Sequence, residues 1–262
     1  MLADVVTEIA GRLKVDAVQI DVSLPVPPGT GLGTSAAQGV AVTAVCARYS
    51  GYEVSRDALA ELAAAAERSA GIAGGRQDQY AAAHGGCHLW QIGPGQQPAV
   101  GARITLAPAL TSAFVLAHPG GTRDSGNLVD VIAQRQQDDG AIRTALRRLN
   151  ELAAPIAATL TCGDLPALAE HLHAVRQLQR ALHPAVVDTR VEEKLHALPG
   201  VLAAKPCGGG GTGAAWLVLC QPGAADTVTA MLPAAGLHAI TVEPDPQGVA
   251  TTGPADPGAH PR

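Results

Sequence analysis

The sequence predicts an α+β protein, a layer of helices set against an antiparallel sheet, and three observations carry that expectation. Apolar strand-like runs at 17–24, 87–92, 113–118, 214–220 and 237–242 are split by helical patterns rather than gathered at one end. Helical periodicity dominates between residues 125 and 198. The 262 residues are 47% hydrophobic, enough for a core in one large or two small domains. With two Trp, three Tyr and one Phe, that core must be mainly Leu, Val, Ile and Ala.

In chain order, residues 2–13 read as a helix and 17–24 as a strand. The strand breaks at Pro25, Pro27 and Pro28, and Gly29, Gly31 and Gly33 follow at intervals of two. An alanine-rich run at 36–49 reads as a helix whose N-cap hydroxyl comes from Thr34 or Ser35. A glycine loop opening onto a helix N-terminus presents backbone N–H groups at the positive end of the helix dipole, which binds phosphate without side-chain charge. A Walker loop would end in Gly-Lys-Ser/Thr, and Gly33 is followed by Thr34 with no lysine; a G-x-G-x-x-G fingerprint is out of register. Taken alone, the stretch fits an ordinary Gly/Pro turn as well as an anion cradle.

Residues 58–70 form a strong helix pattern ending near Gly71, Gly74 and Gly75. Glu67 falls in its last turn, where the dipole disfavours a carboxylate unless a cation compensates it. Asp78 follows eleven positions later and opens a short helix at 79–84; it fits an ordinary N-cap and a catalytic carboxylate equally. A strand at 87–92 leads to a Gly/Pro/Gln patch at 93–98, a hairpin or boundary. The second half opens with strand 113–118 and continues through helices at 125–137, 142–160, 165–182 and 187–198. A strand, a glycine loop at 208–213, a buried strand at 214–220, a helix at 224–234 and a strand at 237–242 follow. Four consecutive glycines before an apolar strand cost conformational entropy, so backbone must approach closely there. The Pro, Gly, Asp and Thr-rich tail at 244–262 reads as disordered.

These segments resemble the GHMP kinases, named for galactokinase, homoserine kinase, mevalonate kinase and phosphomevalonate kinase. The family's phosphate loop has the form P-x-x-x-G-L-G-S-S-A-A, and residues 28–37 look like it, with Thr34 in place of the first serine. The late glycine loop is similar to the third family motif, and the resemblance covers most of residues 1–243. Within the family, the words Gly75-Arg76-Gln77-Asp78-Gln79-Tyr80, Gly120-Gly121-Thr122-Arg123 and Lys205-Pro206-Cys207-Gly208 resemble sugar kinases acting on an anomeric hydroxyl, namely heptose 7-phosphate kinase and fucokinase.

The resemblance implies a two-lobed fold. Residues 1–110 would form an S5-like α/β N-terminal lobe and 111–243 a ferredoxin-like α+β C-terminal lobe. It implies ATP and Mg²⁺ as cofactors. Pro28, Gly29, Gly31, Leu32, Gly33, Thr34, Ser35 and Ala36, with Gly209, Gly210 and Gly211, would hold the nucleotide. Ser35 and Glu67 would hold the metal, and Asp78 would be the base, with Arg76 as its basic partner. Asp78, Gln79, Tyr80, Thr122 and Arg123 would meet the sugar or sugar phosphate, Arg123 through its planar fork. For Arg123, a plain surface arginine is the competing assignment.

One departure concerns the start, because family members begin with roughly a quarter of the chain that is absent here. The expectation is therefore a truncated N-terminal lobe. Partners to weigh beside ATP and sugar are a homo-oligomer or a complementing N-terminal chain. The alternative to a working kinase is a nucleotide-binding or partner-dependent remnant without independent activity.

Composition removes other classes. A net charge of −5 with no basic block argues against nucleic acid as a partner. Five cysteines without a Cys-x-x-Cys pair suggest neither a disulfide framework nor a zinc site. With no signal-like n-region and no membrane-length apolar run, the expectation is a cytoplasmic protein without membrane contact.

Overall fold

The computed structural model describes residues 2–16, 18–26, 29–72, 74–93, 99–121, 126–241 and 244–252. They fall into two compact units, one of residues 1–25, 33–103 and 244–262, the other of 26–32 and 104–243. The division is interleaved, unlike the cut at 110–111 read from the sequence.

The first unit is built on four helices: α1 (Leu2–Leu13), α2 (Thr34–Tyr49), α3 (Arg56–Ser69) and α4 (Gln77–His84). Val5, Ile9 and Leu13, four apart on α1, bury against Val42, Cys46 and Leu59. Small residues let α2 and α3 approach closely: a Cβ at Gly39 would sit 3.5 Å from that of Ala63. Ser55 caps α3 by accepting from the Ala58 amide at 3.2 Å. Strands β1 (Cys87–Gln91) and β2 (Val100–Ile104) pair as a two-stranded sheet.

Two expectations fail in this unit. Residues 18–24 alternate apolar and polar, but among the described residues they join no ladder, and Val18 and Val22 stand 37% and 39% exposed. The alternation specifies an extended segment; a strand also requires a neighbour to bond to. The segment from Pro244 is not disordered through residue 252. The Gly86 amide donates to Asp245 O at 2.6 Å, the Val249 amide to Ala82 O at 3.0 Å, and Arg103 Nη2 to Pro246 O at 3.0 Å. Val249 supplies the apolar anchor that the polar composition concealed.

The second unit carries an antiparallel sheet of order β4-β5-β3-β6, formed by β3 (Phe114–His118), β4 (Val201–Pro206), β5 (Trp216–Cys220) and β6 (His238–Ile240). Its helices are α5 (Gly126–Arg135), α6 (Gly140–Glu151), α7 (Ala153–Cys162), α8 (Leu165–Leu182), α9 (Thr189–His196) and α10 (Ala225–Met231). Both faces of the sheet are covered, which explains the continuous apolar character of β5. Ala203 and Leu219 pack with Leu168 and Leu172 of α8, while Val115 and Val218 pack with Val191 and Leu195 of α9 and Val228 of α10. Trp216, fully buried, lies opposite Pro206 on one side and Ala117 on the other. The single helix expected at 142–160 is two, α6 and α7, because Pro155 clashes with the carbonyl four residues earlier and is tolerated only in a first turn.

Candidate active site

The first unit brings three helix ends together. Gly33, with φ at 69°, is the N-cap of α2 and offers no side-chain cap, so neither Thr34 nor Ser35 fills that role. The Ser35 hydroxyl instead donates to Glu67 Oε1 at 2.8 Å, joining the start of α2 to the end of α3. The Gln79 amide, one residue beyond Asp78 on α4, donates to the other oxygen, Glu67 Oε2. Glu67 is 8% exposed. Burial raises its pKa, the hydrogen bonds from Ser35 and Gln79 lower it, and the charge of Asp78 raises it again. The misplaced carboxylate at the helix C-terminus thus has neutral donors on both oxygens.

Asp78 packs against the loop itself. A Cβ at Gly33 would meet Asp78 Cβ and Cγ at 3.4 Å and Oδ2 at 3.6 Å. The residue is open to solvent along one side, yet displacement of water from its carboxyl raises its pKa. It begins α4 behind Arg76, the N-cap, whose side chain makes no cap bond. The unit therefore holds an uncapped helix N-terminus, a hydroxyl bonded to a carboxylate, and a second carboxylate of raised basicity against the same glycine.

Two neighbouring residues serve the scaffold instead. Arg76, 6% exposed, donates to Glu61 Oε1 at 2.5 Å and to Gly93 O at 2.9 Å. Tyr80 is fully buried; its hydroxyl donates to Glu61 at 2.8 Å and accepts from the Ala99 amide at 2.9 Å. Two residues beyond Asp78 on a helix, Tyr80 projects to a different face. Gln79, 2% exposed, is likewise turned to Glu67.

In the second unit, the Thr30 carbonyl accepts from the Ala215 amide at 2.8 Å, and a Cβ at Gly208 would lie 2.9 Å from Gly31 O. The late glycine loop therefore needs glycine to pass this close to the backbone at Gly31. Gly210 and Gly211 are buried, with amides bonded to Cys207 O at 3.1 Å and Val186 O at 2.9 Å. These N–H groups hold the loop and are not presented to a phosphate, whereas Gly209 is half-buried. Lys205 is pushed below the usual lysine range by burial and donates to Pro206 O at 2.9 Å. Pro28, Thr122 and Arg123 lie outside the described residues.

Residue reading missed His118. Its Nδ1 accepts from the Gly120 amide at 3.2 Å, so Nε2 carries the proton and donates to Gly213 O at 3.0 Å. One imidazole thereby ties the Gly120 turn to the glycine loop; its place at the end of a strand beside Gly120-Gly121 was the available signal. His173 of α8 also holds structure: its Nδ1 accepts from Arg176 Nη2 at 2.7 Å.

Residues 2–86 match the family model of the GHMP kinases N terminal domain. A D-glycero-D-manno-heptose 1-phosphate kinase from Bacteriodes thetaiotaomicron is similar in structure, with 19% identity, a TM-score of 0.68, and coverage of 91% of this chain and 70% of that one. The L. major mevalonate kinase in complex with R-mevalonate gives 20% identity, a TM-score of 0.68, and coverage of 93% and 76%. Lactococcus lactis galactokinase complexed with galactose gives 16%, 0.67, and 90% and 71%. The fold is that of the GHMP kinases. No curated protein matches the sequence.

Against that fold, the donor set fits a hard divalent cation. Ser35 Oγ and Glu67 are oxygen donors, and the buried Gln79 Oε1 beside them has no hydrogen-bond partner among the described residues. An orphaned buried acceptor of this kind costs about 1–3 kcal/mol until a donor arrives. Among the described residues no cluster of three or more His, Cys, Asp or Glu could cage a metal. One carboxylate and one hydroxyl suit an ion that arrives already bound to phosphates. Among the same residues no helix is long and apolar enough to cross a membrane.

Proposed function

We propose that the protein is an ATP-dependent kinase that transfers the γ-phosphoryl group to a hydroxyl of a sugar or sugar phosphate, the anomeric hydroxyl of a heptose 7-phosphate or a related sugar being the first candidate. The observation that carries this reading is the Asp78 carboxyl packed against Gly33, at the uncapped start of the helix that also bears Ser35. In this reading the backbone at Gly33 and Thr34 cradles phosphate oxygens, which suits an N-terminus lacking a side-chain cap. Ser35 and Glu67 would hold Mg²⁺, which when bound neutralises charge on the transferring group. Asp78 orients the acceptor hydroxyl and takes its proton. Its raised pKa strengthens it as a base, and an anomeric hydroxyl is more acidic than an ordinary alcohol. Thr122 and Arg123 remain proposed contacts to the sugar or its phosphate, and the cytoplasm the proposed compartment.

The test is ATP/Mg²⁺ turnover against heptose 7-phosphate, fucose and a panel of free sugars, with wild type beside Asp78→Ala. Turnover that disappears in the variant supports the reading; turnover indifferent to Asp78 sinks it. The engagement of Arg76 with Glu61 favours a second reading, a nucleotide-binding chain that depends on a partner for a basic group beside Asp78. That reading predicts calorimetric ATP binding without turnover of any sugar.

A further inference from the structure

We propose that Gln79 is a positioning residue for the divalent cation, fixing the Glu67 carboxylate and accepting a hydrogen bond from a water of the cation's hydration shell. The inference rests on the kinase reading above and deepens it. A carboxylate only accepts, so the Gln79 group facing Glu67 Oε2 is its NH₂, and this fixes the orientation of the whole amide. The carbonyl oxygen Oε1 must then point elsewhere; it is buried and without a partner among the described residues.

The geometry assigns Glu67 two clamps of different origin. Ser35 on α2 holds Oε1 of the carboxylate at 2.8 Å, and Gln79 on α4 holds Oε2, so the rotation of a carboxylate on α3 is set by both flanking helices. Buried polar groups are as a rule satisfied, and Gln179 Oε1 is another exception among the described residues; what sets Gln79 Oε1 apart is that its own amide already holds the Glu67 carboxylate. An acceptor kept free next to a cation's carboxylate ligand suits a donor that comes with the cation, and Mg²⁺ characteristically keeps several of its waters. Outer partners of this kind orient the ligand and tune affinity.

Mn²⁺ provides the probe. Its binding to the full chain in the presence of a non-hydrolysable ATP analogue is measured by electron paramagnetic resonance for wild type, Gln79→Leu and Glu67→Ala, each checked by thermal melting. Gln79→Leu is expected to weaken Mn²⁺ binding roughly 10- to 100-fold, with the affinity for the metal-free analogue unchanged. Mn²⁺ affinity equal to wild type in Gln79→Leu, with loss in Glu67→Ala, overturns the proposal and leaves the kinase reading standing. Absence of Mn²⁺ binding by the wild type removes both. Should Gln79→Leu fail to fold, the side-chain amide resonance of Gln79 in the wild type decides: it should move when Mg²⁺ is added to the analogue complex, and a resonance indifferent to Mg²⁺ overturns the proposal.

Discussion

The two glycine-rich regions use their glycines for opposite ends. At Gly33 the left-handed residue exposes a helix N-terminus with no cap, and the polar groups around it are raised in pKa or left without a partner. At 208–213 the glycines allow backbone to press on backbone, and the amides of Gly210 and Gly211 are consumed by Cys207 and Val186. In the proposed reading, chemistry therefore belongs to the first region and shape to the second. The contrast follows from hydrogen-bond accounting rather than from glycine content, which is higher in the second.

The largest effect that tests this contrast is at Asp78. Asp78→Ala should lower kcat/KM by about 10²- to 10⁴-fold, the usual contribution of a positioned base, with nucleotide affinity preserved. The pH profile gives the sign. Because burial raises the Asp78 carboxyl above 3.8 and the ionised form accepts the proton, kcat/KM should climb with pH through a midpoint above the ordinary carboxylate value. Steady-state kinetics from acid to neutral pH should show that limb in wild type; a midpoint at or below 3.8 removes Asp78 as the base.

The second region should respond in stability. A Cβ at Gly210 would sit 2.1 Å from Val186 O, at a φ of 66°, so Gly210→Ala combines a backbone clash with a left-handed penalty of roughly 3 kcal/mol together. Chemical denaturation should reveal the loss, and a variant as stable as wild type would return the loop to the nucleotide. Arg76→Met should cost about 2 kcal/mol by removing the ion pair with Glu61, which keeps only the Tyr80 hydroxyl, and the donor to Gly93 O. Its calorimetric ATP affinity should match wild type, in keeping with a scaffold role; a large loss of ATP affinity would restore Arg76 to the site.

The pairing of Ser35, Glu67 and Asp78 was legible because it depends on local signals: a glycine loop before a helix, a carboxylate at the wrong helix end, and a fixed spacing to the next helix. The bonds of Tyr80 and Arg76 to Glu61 are not legible in the sequence, because on a helix neighbouring residues diverge in direction and adjacency in the chain does not give adjacency in space. Glu61, which claims both, lies on α3 and carries no local mark. Residues 18–24 show the same limit in the fold: alternation was visible, but the presence of a pairing neighbour is a long-range fact. Residues 244–252 dock through Val249 and through backbone groups that accept from Gly86 and Arg103, long-range bonds that their turn-forming composition does not announce.

The smallest effect is the most specific to an ionised group held for function. A carboxyl whose native pKa is raised favours the protonated native form, so its contribution to stability is lost as pH rises from 3.8 through the raised value. Asp78→Asn is neutral at every pH and also relieves Glu67 of the repulsion that raises it. The variant should therefore melt higher than wild type at neutral pH, and the gain should vanish below pH 3.8, where Asp78 is protonated in both native and unfolded chains. Differential scanning calorimetry at the two pH values checks the sign. A loss of stability at neutral pH would mean that the Asp78 charge is held by donors in the native protein, and the base assignment would then rest on position alone.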